Sequence, residues 1–360
     1  MIRVLHVIES LAAGGIETTF LNMLRAWRGE PAWAEHHVLA FAGGPLETAY
    51  REAADSLTIT ASQDELEQAV LAPYDAIYFL FERCAFRLLP LVAAHSRAAI
   101  VYGKGYDMGG MFRLNDGLTW QPDESMMWGS DRTTFTTADL AAGFELPVSR
   151  LDVLGKAASI GPFLAVAEVY PFTPNRIVCV ANLHARKRLG DLIVAVATLR
   201  AEIPDVCVRF VGADDGGEGA RLMAMARELG MADACELVGR RADVAADLQA
   251  SRVFALPSGC EGVPTAMLEA MAAARPVVMT DVGHIRSAVQ DGVEGFVVPA
   301  GDVDALTARL RILLSDRKLA AMMGRAARSR VHAHDATVVA ARLRKALEQT
   351  MARVTPGVAA

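Results

Sequence analysis

Residues 252–283 constrain the fold of this chain most tightly. Two apolar runs, 252–256 and 277–279, bracket a loop containing Gly259 and Gly262 and a helix-compatible stretch that begins near Pro264. An apolar run, a glycine-containing turn, a helix and a second apolar run form the strand–loop–helix–strand unit of a parallel sheet. Pro264 is expected as the first helical residue, where a missing N–H costs nothing. The helix is expected to run to about Ala274, with Pro276 opening the second strand.

The same stretch carries chemistry. The first amides of the helix, near Thr265 and Ala266, have no partner within the helix, and the positive end of its dipole adds to them. Together they make an anion site. Glu261 lies on the loop just before the helix and Glu269 lies on the helix itself, roughly 7.5 Å further along the axis. A carboxylate accepts hydrogen bonds from sugar hydroxyls, so this layout suits an anionic ligand with hydroxyl-rich groups on either side.

The rest of the chain extends the pattern. Apolar strands are expected at 2–8, 37–41, 57–60, 76–81, 98–102 and 151–154, with helices at 16–27, 45–54, 63–71 and 86–94 between them. Gly14 and Gly15 follow the first strand, at the edge where open α/β sheets bind ligands. As an alternative to a ligand loop they read as a tight turn. Residues 103–130 are less regular. Residues 155–175, with Pro162, Pro171 and Pro174, read as an interdomain linker. A second series follows, with strands at 177–181, 206–211, 235–238 and 296–298 and helices at 189–199, 219–229 and 244–249. Helices at 302–314, 318–332 and 336–351 close the chain. At 360 residues there is room for two domains, each with its own core.

Composition narrows the function. A net charge of −6 gives no general attraction to nucleic acid. Five scattered cysteines without a Cys-x-x-Cys pair suit reduced thiols, hence a cytoplasmic setting. No signal peptide and no membrane-length apolar run is read. Arg325, Arg328 and Arg330 are readable as a peripheral membrane contact at its inner face, or more simply as a solvated helix face. Gly-x-x-x-x-Gly-Lys, Gly-x-Ser-x-Gly, His-Glu-x-x-His and Gly-x-Gly-x-x-Gly are all missing, which removes the common kinase-like, hydrolase, zinc-protease and dehydrogenase readings. Asp302-Val303-Asp304 reads as a helix cap and a first-turn acid rather than a metal motif.

The string from Ser258 to Ala272, Ser-Gly-x-Glu-Gly-x-Pro-x-x-x-Leu-Glu-Ala-Met-Ala, resembles the donor-site motif of family 4 retaining glycosyltransferases. The resemblance implies a GT-B fold, two Rossmann-like doubly wound parallel-sheet domains facing across a cleft. It places an acceptor-side domain at 1–160, a nucleotide-sugar domain at 161–335 and a helix crossing back at 336–360. It implies that Glu261 holds the donor sugar, Glu269 the ribose, and Gly262, Val263 and Thr265 the rest of the donor loop. Lys187 matches the family's diphosphate-binding lysine. Asn182 stands where an arginine is usual, and Arg186 and Arg188 are the nearby cations able to compensate. Gly14, Gly15 and Glu17 line the cleft by donor phosphates and acceptor, and the backbone at Gly239 reads the base. The family's first-domain histidine is missing from 100–107, where Lys104, Tyr106 or Asp107 stands in its place.

The expected activity is metal-free, cofactor-free transfer of a sugar from a nucleotide diphosphate to a glycan, lipid-linked or small-molecule acceptor. Configuration is retained, and the setting is bacterial glycan or polysaccharide assembly. Two other readings are weighed. A nucleotide-sugar-binding relative without turnover would explain Asn182 and the missing histidine. A sugar-nucleotide epimerase would need acid–base groups that the sequence does not offer.

Overall fold

A computed structural model describes residues 1–12, 14–80, 82–104, 112–113, 119–120, 127, 129–168, 174–214 and 216–354. The chain divides into two compact units, Met1–Ala157 with Ala336–Ala360, and Ala158–Asp335. The divisions fall at 157/158 and 335/336, so residues 158–160 belong to the second unit rather than the first.

The first unit is built on a seven-stranded sheet in the order β3-β2-β1-β4-β5-β8-β9. Its strands are β1 (Ile2–Ser10), β2 (Ala34–Ala42), β3 (Ser56–Ile59), β4 (Ala76–Phe79), β5 (Ala99–Lys104), β8 (Arg132–Phe135) and β9 (Leu151–Val153). A separate antiparallel pair joins β6 (Phe112–Arg113) to β7 (Thr119–Trp120). Every neighbouring pair in the seven-stranded sheet is parallel.

The strands read as near-continuous apolar runs because both faces of the sheet are covered. Successive side chains go to opposite sides. Val4, Val38, Ala76 and Val101 enter one core, beneath the helices Gly15–Arg28 and Ala336–Val354. Leu5, Leu39, Ile77 and Ile100 enter the other, beneath the helices Gln63–Val70 and Glu82–His95.

The second unit repeats the plan with six strands ordered β12-β11-β10-β13-β14-β15, again all parallel. They are β10 (Arg176–Val180), β11 (Cys207–Val211), β12 (Cys235–Leu237), β13 (Val253–Leu256), β14 (Val277–Thr280) and β15 (Gly295–Val298). Strand order reverses between β10 and β13. This is the place where open α/β sheets part their loops and take ligands.

The structure departs from the sequence expectations in several places. β8 was not anticipated, because Arg132-Thr133-Thr134-Phe135 is polar. It is nonetheless buried, with Arg132 paired to Asp152 on β9 and the Thr134 hydroxyl donating to Tyr102 O at 3.3 Å. The expected linker is not patternless either. Ile160, Phe163 and Val166 are buried in the second unit's core, and Ala158 bridges Asp335. Finally, Pro264 caps its helix instead of opening it. It is extended (φ −66°, ψ 128°), and the helix proper is Thr265–Ala272. The short helices Ala138–Ala142, Gly161–Leu164 and Ile285–Ala288 carry too few residues to show a periodicity.

One cluster in the first unit ties the chain's beginning to its end. His6 Nε2 lies 3.0 Å from His36 Nδ1, and the His36 ring stacks on Trp27 at 4.6 Å between centroids, 2° from parallel. Trp27 Nε1 donates to Ala340 O in the last helix at 3.2 Å. Burial holds the His6 ring well below the usual imidazole value, with the His36 and His37 charges adding to the effect. Burial also brings His36 down to about 4, against the opposing pull of Asp55.

Both rings are therefore neutral in the fold and protonate more readily once unfolded. Their stabilisation is full above about pH 6.5 and is lost as the pH falls toward 4. His36 alone is expected to cost the first unit about 2 kcal/mol between pH 7 and pH 5. Chemical denaturation at the two pH values checks this. The His36→Phe variant is expected to lose part of that pH dependence.

Candidate functional site

The second unit brings three of the expected residues together. Lys187 ends the turn after β10, and Glu261 lies on the loop after β13. The two strands are adjacent, pairing Ile177 with Val253 and Val178 with Phe254. Their loops are joined twice. The Lys187 ammonium and Glu261 carboxylate form a salt bridge, with both side chains nearly buried, and Gly259 N donates to Arg186 O at 2.8 Å. Ser258 Oγ donates to the same Glu261 oxygen at 2.6 Å, while Ser258 O accepts from Thr280 Oγ1 on β14 at 2.6 Å. Three neighbouring strands thus hold one carboxylate. Beneath the pair, burial pushes the Cys179 thiol up to about 12.

Thr265 follows at the start of its helix. Among the described residues no side chain caps that helix, and the buried Thr265 hydroxyl has no hydrogen-bond partner. A buried unpaired hydroxyl costs stability unless something arrives to pair with it. The N-terminal amides of the helix point the same way by construction. Gly262 and Val263 carry the chain from Glu261 to the cap, and Gly262 O accepts from His284 N at 3.4 Å.

Glu269 sits on the helix Thr265–Ala272, with no cation or hydrogen-bond donor against its carboxyl among the described residues. Burial, with the charge of Asp243 adding to it, raises its pKa to about 7.

The basic residues divide. Arg186 is exposed and makes no ion pair among the described residues. Arg188 has a left-handed backbone (φ 51°) and turns to Asp191, Nε to Oδ2 at 2.9 Å. Asn182 is exposed and accepts from Ala213 N at 3.4 Å, which ties its loop to the one after β11. Gly239 (φ 73°) accepts from Gly212 N at 3.0 Å, and so joins the loops after β11 and β12.

Two glycines that the sequence reading passed over make these close approaches feasible. A Cβ on Gly212 would lie 1.9 Å from Ala181 O, and one on Gly283 would lie 1.7 Å from Glu261 O. Each is a lone glycine at a strand end, which was the available signal.

In the first unit Gly14 caps the helix Gly15–Arg28, and Glu17 lies in its first turn. Lys156, from the stretch read as linker, donates to Gly15 O at 2.9 Å. Burial lowers this amine to about 8, against the attraction of Glu17, while burial raises the Glu17 carboxyl. No sequence signal marked Lys156. Lys104 ends β5, buried, with its ammonium 5.4 Å from the Phe144 ring centre. Tyr106 and Asp107 lie outside the described residues. Asp302 is the cap it was read as, accepting from Ala305 N at 2.8 Å. No helix among the described residues is long and apolar enough to cross a membrane.

Comparison with known proteins shows what this geometry is similar to. Residues 167–330 match the family model "Glycosyl transferases group 1". A GDP-mannose-dependent alpha-(1-6)-phosphatidylinositol monomannoside mannosyltransferase of Mycolicibacterium smegmatis is 37% identical over 163 residues, 42% of each chain. An N-acetyl-alpha-D-glucosaminyl L-malate synthase of Bacillus anthracis is 30% identical over 156 residues, 43% of this chain and 40% of the relative. These matches span less than half of the relatives' length.

Solved structures match almost throughout. Anabaena HepE in complex with UDP superimposes with a TM-score of 0.78 at 18% identity, over 96% of this chain and 99% of its own. The sucrose-phosphate synthase of Thermosynechococcus elongatus gives 0.76 at 18% identity, over 96% and 98%. The fold is GT-B.

The raised Glu269 pKa has a signed consequence. The folded state keeps the proton that the unfolded state releases, so stability falls as pH rises from about 4.5 through 7. Glu269→Gln is expected to be more stable than the parent by about 3 kcal/mol at pH 8 and by about 1 kcal/mol at pH 5. Thermal or urea unfolding at the two pH values measures the difference.

Proposed function

We propose that the protein is a retaining glycosyltransferase that moves a sugar from a nucleotide-diphosphate donor to an acceptor hydroxyl. The observation that carries the reading is the Lys187–Glu261 pair, set beside the uncapped helix start at Thr265. A diphosphate leaving group develops negative charge on its oxygens. Lys187, Arg186 and the first amides of the helix Thr265–Ala272 are donors already in position for that charge, and the Thr265 hydroxyl lacks only an acceptor. Fixed donors of this kind favour the transition state more than the ground state.

Glu261 then passes from Lys187 to the donor-sugar hydroxyls and favours cationic character at the anomeric carbon. Glu269 takes the ribose hydroxyls, and in its protonated form it donates as well as accepts. The Gly239 backbone meets the base. The leaving phosphate accepts the acceptor's proton as the new glycosidic bond forms on the same face. No resident metal or cofactor enters this scheme.

Relatives named for mannosyl transfer to a phosphatidylinositol mannoside and for joining N-acetylglucosamine to malate support a lipid-linked or small-molecule acceptor. A relative named for colanic acid biosynthesis in Salmonella typhimurium supports a glycan. Their bacterial sources favour glycan or polysaccharide assembly at the cytoplasmic side of a membrane. A second reading, donor binding without turnover, draws on Asn182, which supplies no cation and is engaged with Ala213.

A thermal-shift panel of UDP-, GDP-, ADP- and dTDP-sugars tests the reading, because a ligand that binds only the folded state raises its stability. One base is expected to shift the melting temperature by several degrees, and Glu269→Ala is expected to abolish that shift. Lys187→Ala is expected to lower turnover by about a hundredfold or more. A folded protein that responds to no donor overturns the donor site. Binding without product in an acceptor screen selects the second reading.

A further inference from the structure

The loop after β12 is held in an unusual way. Gly239 O is fixed by Gly212 N at 3.0 Å, and Asp243 Oδ1 accepts from Ala245 N, at the start of the next helix, at 2.8 Å. Between them Arg240, Arg241 and Ala242 make no backbone hydrogen bond among the described residues. One side chain fixes that span. Arg241 Nε lies 3.3 Å from Asp247 Oδ2. Asp247, 3% exposed on the helix Ala245–Gln249, gives its other oxygen to Arg209 Nη1 at 2.8 Å.

Arg209, on β11, also grips Glu236 on β12, Nη2 to Oε2 at 2.6 Å, and Arg176 at the start of β10 shares Glu236 at 3.5 Å. A chain of charges therefore runs from three adjacent strands of the sheet through Asp247 to the loop. Three guanidiniums share two carboxylates, and Arg241, half-exposed at the end, has the longest of the Asp247 contacts. Asp243 of the same loop is near enough to Glu269 to oppose its ionisation.

We propose that Asp247 is a positioning residue for the nucleobase of the donor: it holds Arg241, and through it the 239–243 loop, in the conformation that meets the base. The inference rests on the donor-site reading above and extends it to residues that touch no diphosphate. A buried carboxylate that paired only with Arg209 would serve the sheet. Its second oxygen is turned instead to Arg241, in a stretch, 240–242, with no backbone hydrogen bond among the described residues.

Calorimetric titration of the full chain with UDP, GDP and ADP tests this. The variants are Asp247→Asn, Arg241→Ala, Arg241→Lys and Glu269→Ala. Asp247→Asn and Arg241→Ala are expected to weaken the preferred nucleotide about tenfold and to compress its preference over the other two, with Arg241→Lys restoring part of the preference. General damage to the unit would weaken all three nucleotides alike and leave their ratios unchanged, and that result overturns the proposal. So does a parent protein with no preference among the bases. If Asp247→Asn does not fold, the exposed Arg241→Ala carries the test. Failure of the underlying reading looks different: the parent binds no nucleoside diphosphate, or Glu269→Ala binds as the parent does, and the inference falls with it.

Discussion

The salt bridge between Lys187 and Glu261 joins two strand ends at the point where the order of the second sheet reverses. A buried ion pair is a weak source of net stability, because desolvation offsets most of the attraction. Its value here is geometric. Ser258 and Thr280 extend it across β14, and Gly259 extends it back to the turn at Arg186. The loops that carry the candidate chemistry are therefore set by the sheet rather than by their own sequence. The pair also keeps each charge satisfied until a ligand with complementary charges can divide it.

The parts of this arrangement visible in the sequence were those with a periodicity or a dense local motif. β10, β13 and the helix Leu189–Leu199 are apolar or amphipathic segments, and they lie where the apolar pattern puts them. Glu261 and Glu269 stand out because a strand end and a helix start bracket them, and Lys187 because it matches the family's diphosphate-binding lysine. β8 was missed because its side chains are polar, and the partners that make burial tolerable, Asp152 and the Tyr102 carbonyl, lie far away in sequence. Residues 158–166 were read as linker because a short turn with one proline shows no period, although its apolar residues fill a core. Lys156 and Asp247 were not marked at all, since only the folded chain sets them beside Gly15 and Arg241.

Several residues of the candidate site sit in states the fold would not choose for its own stability. Among the described residues the Thr265 hydroxyl is buried without a partner, and Glu269, its pKa raised to about 7 by burial, meets no cation. Such local conflicts amid a well-packed sheet are what a binding surface looks like before its ligand completes it. The first unit shows the contrast. Its buried His6 and His36 pair through His6 Nε2 and His36 Nδ1, and the His36 ring stacks on Trp27, although His6 Nδ1 is itself buried without a hydrogen-bond partner among the described residues.

The first unit is not continuous in the chain. Its second core layer includes Val339, Leu343 and Leu347, from a helix that follows the whole of the second unit. A ribosome delivers residues in order, and domains tend to fold as they emerge. The unit encoded first must then wait, with the face of β1 and β4 that Trp27 shares with the last helix only partly covered, while the second unit emerges and closes. Synthesis order and folding order are thus reversed for the two halves, and the nascent chain spends that interval with an apolar sheet face that chaperones could recognise.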